Sequence, residues 1–298
     1  MKRIFQYPIT STENGVKIYE FLKKQGYSKT VLTHVRKTPN GILLNNIPSF
    51  SSVRLHEGDH LQITVTDETS SQQILPVPVP IHIVYEDEDL LILNKEANQP
   101  IHPSIHNFEN TVANGLAWYF SQKEEPFVYR CINRLDRDTT GLLIVAKNML
   151  SAAILSQMSK QRELHREYLA IAQGKVPPEG TICAPIARVR DSVIARCVDF
   201  ECGENAVTHF KRLCFQNNLS LVSLKLETGR THQIRVHMKY IGHPLIGDFL
   251  YHPDFHLIKR QALHSYKLSF YHPITKEAMS FTAPLPEDMQ LFTDYFFC

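Results

Sequence analysis

The sequence predicts an α+β fold built around a mainly antiparallel mixed sheet with flanking helices. Strand-like and helical segments alternate along the chain, and several strand-like segments follow one another directly, which is typical of this class. The chain has 298 residues, of which 43% are apolar and 21% are charged. That composition is typical of a folded protein with a sizeable core.

A proline-rich stretch divides the chain in two. Residues 69–80 read TSSQQILPVPVP, with three prolines at alternate positions and no helical period, which is a linker composition. We therefore predict a small domain over residues 1–75 and a larger domain over residues 76–298. The small domain holds nine Lys or Arg against six Asp or Glu, whereas the larger holds 23 against 24. The overall charge of +2 thus hides a basic N-terminal domain.

The small domain is expected to contain two helices and then a short β unit. Apolar spacing predicts an amphipathic helix that Gly26 ends, and Ser28 can cap the helix that follows. The predicted helices cover residues 16–25 and 29–37, and the predicted strands cover residues 42–44 and 61–65. Lysine and arginine side chains lie on the outer faces of both helices.

The larger domain is expected to begin with two strands around an acidic turn. Residues 90–93 form a continuous apolar run, as in a buried strand. We interpret residues 86–89, EDED, as a solvated turn without a catalytic role. Further on, Asn148 is a plausible cap for a helix with the apolar stripe Leu150, Ala153, Ile154 and Met158.

The most informative stretch is residues 129–147, YRCINRLDRDTTGLLIVAK, where polar residues precede an apolar run typical of a buried strand. Asp136 lies between Arg134 and Arg137. Guanidinium groups beside a carboxylate stabilise its charged form, which would make it available for nucleophilic or electrostatic work. Spacing alone fits a surface loop better, with ion pairs worth ~0–1 kcal/mol each.

Two further segments contain candidate binding residues. In a strand predicted over residues 164–173, Tyr168 lies beside Arg166 on the face with the smaller side chains, which leaves room for a planar ligand. A core tyrosine is the commoner use of such a position. In the second segment, Arg230 lies in the turn between a strand and a helix that starts near Thr231, where an anion could bind.

Alternation and helical spacing define the faces of that second segment. The inward face of the strand comprises Val222, Leu224 and Leu226. The helix is expected to turn a core face inward and to carry a separate basic stripe made of His232, Arg235 and Lys239. A generic amphipathic helix is the alternative interpretation.

Five motifs, in this order, resemble those of the RluA-type pseudouridine synthases. They are NRLDRDTTGL (133–142), REYLA (166–170), LETGRTHQIRVH (226–237), GHPLIGD (242–248) and QALH (261–264). The likeness spans residues 80–275. It implies an isomerase that detaches uracil from ribose, rotates the base and rejoins it through carbon 5, without a cofactor.

The resemblance also implies roles for single residues. Asp136 corresponds to the catalytic aspartate, Arg230 to the arginine that pairs with it, and Tyr168 to the tyrosine that contacts the flipped base. Arg134 resembles the arginine that holds the extruded nucleotide. Residues implied with them are Leu226 and Leu263 in the base pocket, and Arg166 where the family usually has lysine. The chain departs from the family at Asn133, where histidine is usual, and we expect a tuned site there.

The small domain resembles the RNA-binding domain of a small-subunit ribosomal protein that is also appended to RNA-modifying enzymes. Residues 41–63, GILLNNIPSFSSVRLHEGDHLQI, carry most of this likeness. The likeness implies that residues 1–75 bind RNA. A dimerisation or packing module with solvated lysines is the alternative interpretation.

Several classes of protein are excluded by what the sequence lacks. It has no apolar run near the ~20 residues that a membrane span needs, no apolar signal-peptide segment, and no paired C-x-x-C among its six cysteines. We expect a cytoplasmic monomer, without metal or cofactor, that acts on structured rRNA or tRNA. The alternative is a non-catalytic RNA-binding or ribosome-assembly factor; a metal hydrolase built from the 15 histidines has less support.

Overall fold

The computed structural model describes residues 1–67, 69–105 and 107–296, with side chains described as far as residue 292. An N-terminal unit comes first in the chain. Its elements are β1 (Lys2–Pro8), α1 (Ile18–Lys24), α2 (Lys29–Lys37), β2 (Ile42–Leu44), β3 (Ile47–Pro48) and β4 (His60–Thr66). The four strands form an antiparallel sheet in the order β1-β4-β2-β3.

The predicted helices and strands of the N-terminal unit are confirmed, but two strands, β1 and the two-residue β3, were missed. The Ser28 hydroxyl oxygen accepts a hydrogen bond from the Val31 amide, so Ser28 caps α2 as expected. Strand β1 pairs with β4 along its whole length. Burial alternates along β1, but its inner face includes Arg3 and its outer face includes the exposed Ile4, so the sequence lacks the alternation of apolar and polar residues by which a strand is recognised.

A nine-stranded mixed sheet forms the larger part of the protein, which confirms the predicted α+β class. Its strands lie in the order β5-β6-β7-β14-β8-β13-β12-β9, with β15 paired to β14. Among the described strands, only β7 and β14 pair in parallel. The bounds are β5 Ile83–Glu86, β6 Leu90–Lys95, β7 Thr140–Ala146, β8 His165–Gln173, β9 Glu179–Cys183, β12 Val207–Gln216, β13 Leu219–Leu226, β14 Leu263–Tyr271 and β15 Ala278–Thr282.

Four helices and a small hairpin complete this part. The helices are α3 (Val112–Ser121), α4 (Met149–Lys160), α5 (Gln233–Tyr240) and α6 (Glu287–Phe296), and the hairpin pairs β10 (Ile186–Arg188) with β11 (Arg196–Val198). Asn148 caps α4 as predicted, because its side chain accepts a hydrogen bond from the Ser151 amide. None of the described helices is long and apolar enough to cross a membrane.

The central strands are buried on both faces. Alternate residues of β7 divide between two cores: Leu142 and Ile144 pack with α4 and with the interior of the N-terminal unit, while Leu143 and Val145 pack with α3. This is why residues 140–146 are apolar without alternation. The N-terminal unit therefore shares one continuous core with the sheet.

The acidic turn before β6 is only partly solvated, in contrast to the expectation, because Glu88 is exposed but Asp89 is not. Asp89 is buried and accepts hydrogen bonds from Arg3, Asn148 and Ser151 at 2.8–3.3 Å. A buried carboxylate requires such partners. Since Arg3 belongs to β1, the acidic turn is a polar contact between the N-terminal unit and the rest of the protein.

Candidate active site

An open cleft of about 530 Å³ lies beside the loop that precedes β7. The other walls come from the end of β13, the turn before α5, and the first residues of β8 and β14. The seven site residues predicted from the sequence all line it: Asp136, Tyr168, Arg230, Arg134, Leu226, Leu263 and Arg166. Segments that are more than 120 residues apart in the chain therefore meet at one surface.

Asn133 fixes the loop that carries Asp136. Its side-chain oxygen accepts a hydrogen bond from the Ile144 amide at 2.7 Å, and its side-chain nitrogen donates to the Leu142 carbonyl at 3.2 Å. Asn133 is 3% exposed. The residue that departs from the family pattern thus joins the loop to β7 through a neutral amide that donates and accepts.

Lys95 holds the same loop from the other side. Its buried ammonium group donates to the carbonyl oxygens of Glu96, Gln99 and Arg137 at 2.6, 2.9 and 2.8 Å. Burial lowers the pKa of Lys95 to about 7. The three carbonyls engage all three ammonium donors, so a neutral amine would leave one of these carbonyls without its hydrogen bond.

Arg235, and not Arg230, pairs with Asp136. Arg235 Nη1 donates to Asp136 Oδ2 at 2.9 Å, whereas Arg230 pairs with Glu204 and donates to the Asn205 carbonyl at 3.1 Å. The expected pairing of Arg230 was wrong. The turn directs Arg230 to the exposed rim, while Arg235 projects inward from the first turn of α5.

Arg235 is also not part of a solvent-facing stripe. Its side chain is 2% exposed and forms two further hydrogen bonds, at 2.7 and 2.8 Å, with the fully buried carboxylate of Asp248. Burial opposes the charge of Arg235, but the hydrogen bonds and charges of Asp248 and Asp136 outweigh it and raise the pKa. The guanidinium therefore stays charged and rigidly placed against Asp136.

The arginines next to Asp136 in the sequence do not pair with it. Arg137 donates to Asp138 at 2.9 Å and lies outside the cleft wall. Arg134 is exposed on the cleft wall, where it could meet a phosphate group or a base. The charge that faces Asp136 thus comes from a residue 99 positions away.

The remaining predicted residues form an apolar and basic wall. Tyr168 and Leu263 are buried and Leu226 is half-buried. Burial raises the pKa of Tyr168, so it is a neutral phenol at pH 7. Arg166 keeps a buried Nε without a hydrogen-bond partner in the described part of the chain, which leaves that donor uncommitted.

His232 and Tyr251 complete the surroundings of Asp136. His232 Nε2 lies 3.8 Å from Asp136 Oδ1, and His232 Nδ1 lies 3.0 Å from the Tyr251 hydroxyl. Burial lowers the pKa of His232 in spite of the nearby Asp136 carboxylate. The imidazole is therefore neutral at pH 7.

Residues 89–240 match the family model described as RNA pseudouridylate synthase. The chain is 42% identical over 273 residues to the uncharacterized RNA pseudouridine synthase YjbO of Bacillus subtilis, covering 91% of this chain and 96% of that protein. It is 36% identical over 275 residues to ribosomal large subunit pseudouridine synthase D of Neisseria meningitidis, covering 88% and 73%. The fold resembles human RNA pseudouridylate synthase domain containing 1, with a TM-score of 0.56, 27% identity, and coverage of 73% and 86%.

With the fold and the site, these comparisons define the class of protein as an RNA-modifying isomerase. The chain belongs to the RNA pseudouridine synthase family.

Sequence reasoning missed the part of the site that lies behind Asp136. Lys95, Tyr251 and Asp248 were not singled out, and Arg235 was assigned to the wrong face. One signal was available: Asp248 lies in the GHPLIGD motif with apolar neighbours, and a buried carboxylate requires a cation. Only the fold identifies Arg235 as that cation.

Proposed function

We propose that this protein isomerises uridine to pseudouridine in ribosomal RNA, with Asp136 as the catalytic carboxylate. The observation that carries the proposal is the contact between Asp136 and the buried Arg235, in a cleft large enough for a nucleotide. Ribosomal RNA is favoured over tRNA because relatives at 36% identity are named ribosomal large subunit pseudouridine synthase D.

The lining of the cleft suits a base taken out of a folded RNA. Such an enzyme must extrude its target, at a cost of a few kcal/mol of stacking, and compensate through contacts in its pocket. Tyr168, Leu226 and Leu263 offer a ring and two aliphatic side chains to a planar base. Arg134 and Arg166 add guanidinium groups that can bind phosphate or stack on a base.

The reaction breaks the bond between ribose C1′ and uracil N1 and forms one between C1′ and uracil C5. The C5 proton is released to solvent and N1 gains a proton, so the net reaction needs no oxidant or reductant. Asp136 would supply the anion, by attacking the sugar, abstracting a sugar proton or adding to the uracil ring. In each route Arg235 orients the carboxylate through a charge-assisted hydrogen bond.

Tyr168 would contact the base during this sequence. Because Tyr168 is a phenol at pH 7, its hydroxyl oxygen can accept the C5 proton only if it gives up its own proton at the same time. The neighbouring Ser265 is fully buried and already donates to the Leu142 carbonyl at 3.1 Å, so it offers that proton no route to solvent.

We also propose that residues 1–75 form an RNA-binding domain of this enzyme. Lys23 of α1 and Arg36 of α2 lie 5.3 and 5.2 Å from the ring of Tyr19. Phe50 lines the same groove as Arg36 and is 80% exposed. Cations beside exposed aromatic rings are typical of surfaces that bind RNA.

Arg36→Glu tests this second proposal. If Arg36 contacts phosphate, the variant binds substrate RNA more weakly and the slope of log K against log salt concentration falls by about 1. The matched control is Lys211→Glu on β12, which makes the same change of charge far from the basic helices. Equal affinity and salt dependence for Arg36→Glu and wild type would contradict an RNA-binding role for this surface.

We also propose that the enzyme is a monomer and that it acts in the cytoplasm, where ribosomal RNA is available.

Mapping pseudouridine in RNA from a deletion strain tests the principal proposal. At least one ribosomal RNA position is expected to lose pseudouridine and to regain it with the wild-type gene but not with Asp136→Asn. Unchanged pseudouridine in all RNA of the deletion strain would overturn the proposal. Full restoration by Asp136→Asn would overturn the role of Asp136 and support a non-catalytic factor instead.

A further inference from the structure

His232 has a backbone conformation that is uncommon for residues other than glycine. It is the residue before α5 and has a φ of +59°, in the left-handed region that only a few per cent of non-glycine residues adopt, asparagine, aspartate and histidine more often than the rest. Its side chain is 13% exposed and faces the cleft next to Asp136. An uncommon backbone conformation beside a reactive group indicates a functional role for the side chain.

Tyr251 determines which imidazole nitrogen carries the proton. The Tyr251 hydroxyl oxygen accepts a hydrogen bond from the Arg196 amide at 2.9 Å and lies 3.0 Å from His232 Nδ1. Within the described parts of the chain, Nδ1 is the only acceptor within reach of the hydroxyl proton. The hydroxyl therefore donates to Nδ1, and a neutral imidazole then carries its proton on Nε2.

A gap separates His232 Nε2 from the Asp136 oxygen that Arg235 does not engage. Oδ2 is engaged by Arg235 at 2.9 Å, whereas Oδ1 lies 3.8 Å from His232 Nε2. A distance of 3.8 Å is too long for a hydrogen bond. A substrate oxygen that enters the gap could accept a hydrogen bond from Nε2 while the neighbouring sugar or ring carbon meets Oδ1.

We propose that His232 is a further catalytic residue, which donates a hydrogen bond from Nε2 to a carbonyl oxygen of the departing uracil, and that Tyr251 positions it. When the bond between N1 and C1′ breaks, the electron pair stays with uracil and its charge spreads onto the carbonyl oxygens. A donor already placed at that oxygen stabilises the transition state more than the bound substrate. This inference rests on the proposed function.

Two substitutions separate this role from a structural one. In His232→Gln, the amide nitrogen can reach the place of Nε2 and donate to the substrate. In His232→Asn, the shorter amide reaches only the place of Nδ1, where it can still meet Tyr251, and asparagine tolerates the left-handed backbone. If His232 only supports the turn, Asn is the better replacement; if it donates to substrate, Gln is.

The experiment measures single-turnover rate constants, and dissociation constants, with the ribosomal RNA that is the substrate of the enzyme. We expect His232→Asn to slow the reaction about 100-fold, the effect of removing one such donor, and His232→Gln to slow it about tenfold. Both variants are expected to bind RNA within about twofold of wild type, since the contact forms mainly in the transition state. A rate for His232→Asn equal to or above that of His232→Gln would overturn the inference.

Tyr251→Phe completes the test, because it removes only the hydroxyl. It should slow wild type several-fold but leave the rate of His232→Gln unchanged, since Gln has no tautomer to select. Equal slowing in both backgrounds would contradict the positioning role of Tyr251. Wild type and Asp136→Asn in the same assay keep the proposals apart: no product from wild type overturns the proposed function, while normal product from wild type and both His232 variants overturns only this inference.

Discussion

At the scale of single residues, one guanidinium group connects the two carboxylates of the site. Arg235 joins Asp136, which faces the cleft, to Asp248, which is fully buried. Because Asp248 fixes the plane of the guanidinium through two hydrogen bonds, the third nitrogen meets Asp136 in a set direction. Arg230 makes no such contact, although the motif resemblance assigned the pairing to it.

The conservative substitution Arg235→Lys should lower the single-turnover rate more than the drastic substitution Arg230→Ala. Arg235→Lys keeps the charge but not the fork that binds both carboxylates, so we expect at least a 100-fold loss of single-turnover rate in a folded protein. Arg230→Ala removes an exposed side chain that pairs with Glu204 and should retain most of the rate. The opposite ranking would restore Arg230 as the partner of Asp136. Circular dichroism of both variants checks folding.

The sequence predicted which residues form the site but not how they pair. The five motifs predicted Asp136, Tyr168 and Leu263 as site residues, and all three line one cleft. Periodicity could not place Arg235, since a charged residue on an amphipathic helix is expected to face solvent. Its burial depends on Asp248, which follows α5 in the chain and comes from outside the helix.

At the scale of secondary-structure elements, the strands that hold the site are prearranged by buried polar contacts. His264 on β14 is buried, and its Nδ1 lies 2.8 Å from Thr140 Oγ1 on β7, where these strands pair in parallel. Elements with strong caps or continuous apolar runs, such as α2, α4 and β7, were predictable from local sequence. Strand β1 was not, because an arginine on its inner face and an exposed isoleucine on its outer face hide the alternation in the sequence.

The stability of these strands should depend on pH through His264. Burial lowers the pKa of His264 to about 4, below its value in the unfolded chain. The stabilisation is fully present above pH 6.5 and is lost as pH falls toward 4, by about 3 kcal/mol from this group. Urea unfolding at pH 7 and pH 4.5 measures it. His264→Asn, which does not titrate, should show a smaller difference; an unchanged difference would contradict the assignment.

Asn133 offers a second test at this scale. Asn133→Asp keeps the shape and the acceptor for the Ile144 amide but places an oxygen against the Leu142 carbonyl. The lost bond and the buried charge should lower the free energy of unfolding by roughly 2–3 kcal/mol. Thermal unfolding measures the loss. Asn148 is a second buried amide, and Asn148→Asp is the variant to compare. It keeps the acceptor that caps α4 but places a carboxylate against Asp89. A stability equal to wild type in Asn133→Asp would contradict the role of Asn133 as a link between loop and strand.

At the scale of the whole molecule, the N-terminal unit and the large sheet are joined by more than a linker. They share one apolar core. Arg3 binds Asp89, and Arg130 binds Asp67 through two hydrogen bonds of 2.9 and 2.7 Å. The division at residue 75 came from composition, and composition does not register contacts between segments on either side of it.

These contacts predict that the protein unfolds in a single transition. Circular dichroism and the fluorescence of Trp118, the only tryptophan of the chain, should report the same urea midpoint. Arg3→Met should lower that midpoint by leaving Asp89 buried without its cation, and adding Asp89→Asn should recover part of the loss. Two separate transitions in wild type would contradict a shared core.

The central claim is that Asp136 in this cleft isomerises uridine in RNA. Release of tritium from ribosomal RNA labelled at uracil C5 tests it most directly, because the C5 proton leaves only when the new bond to C1′ forms. Purified wild type should release tritium from RNA of a deletion strain, and Asp136→Asn should release background counts while binding the RNA equally well. Equal release by both proteins, whether high or at background, would contradict the claim.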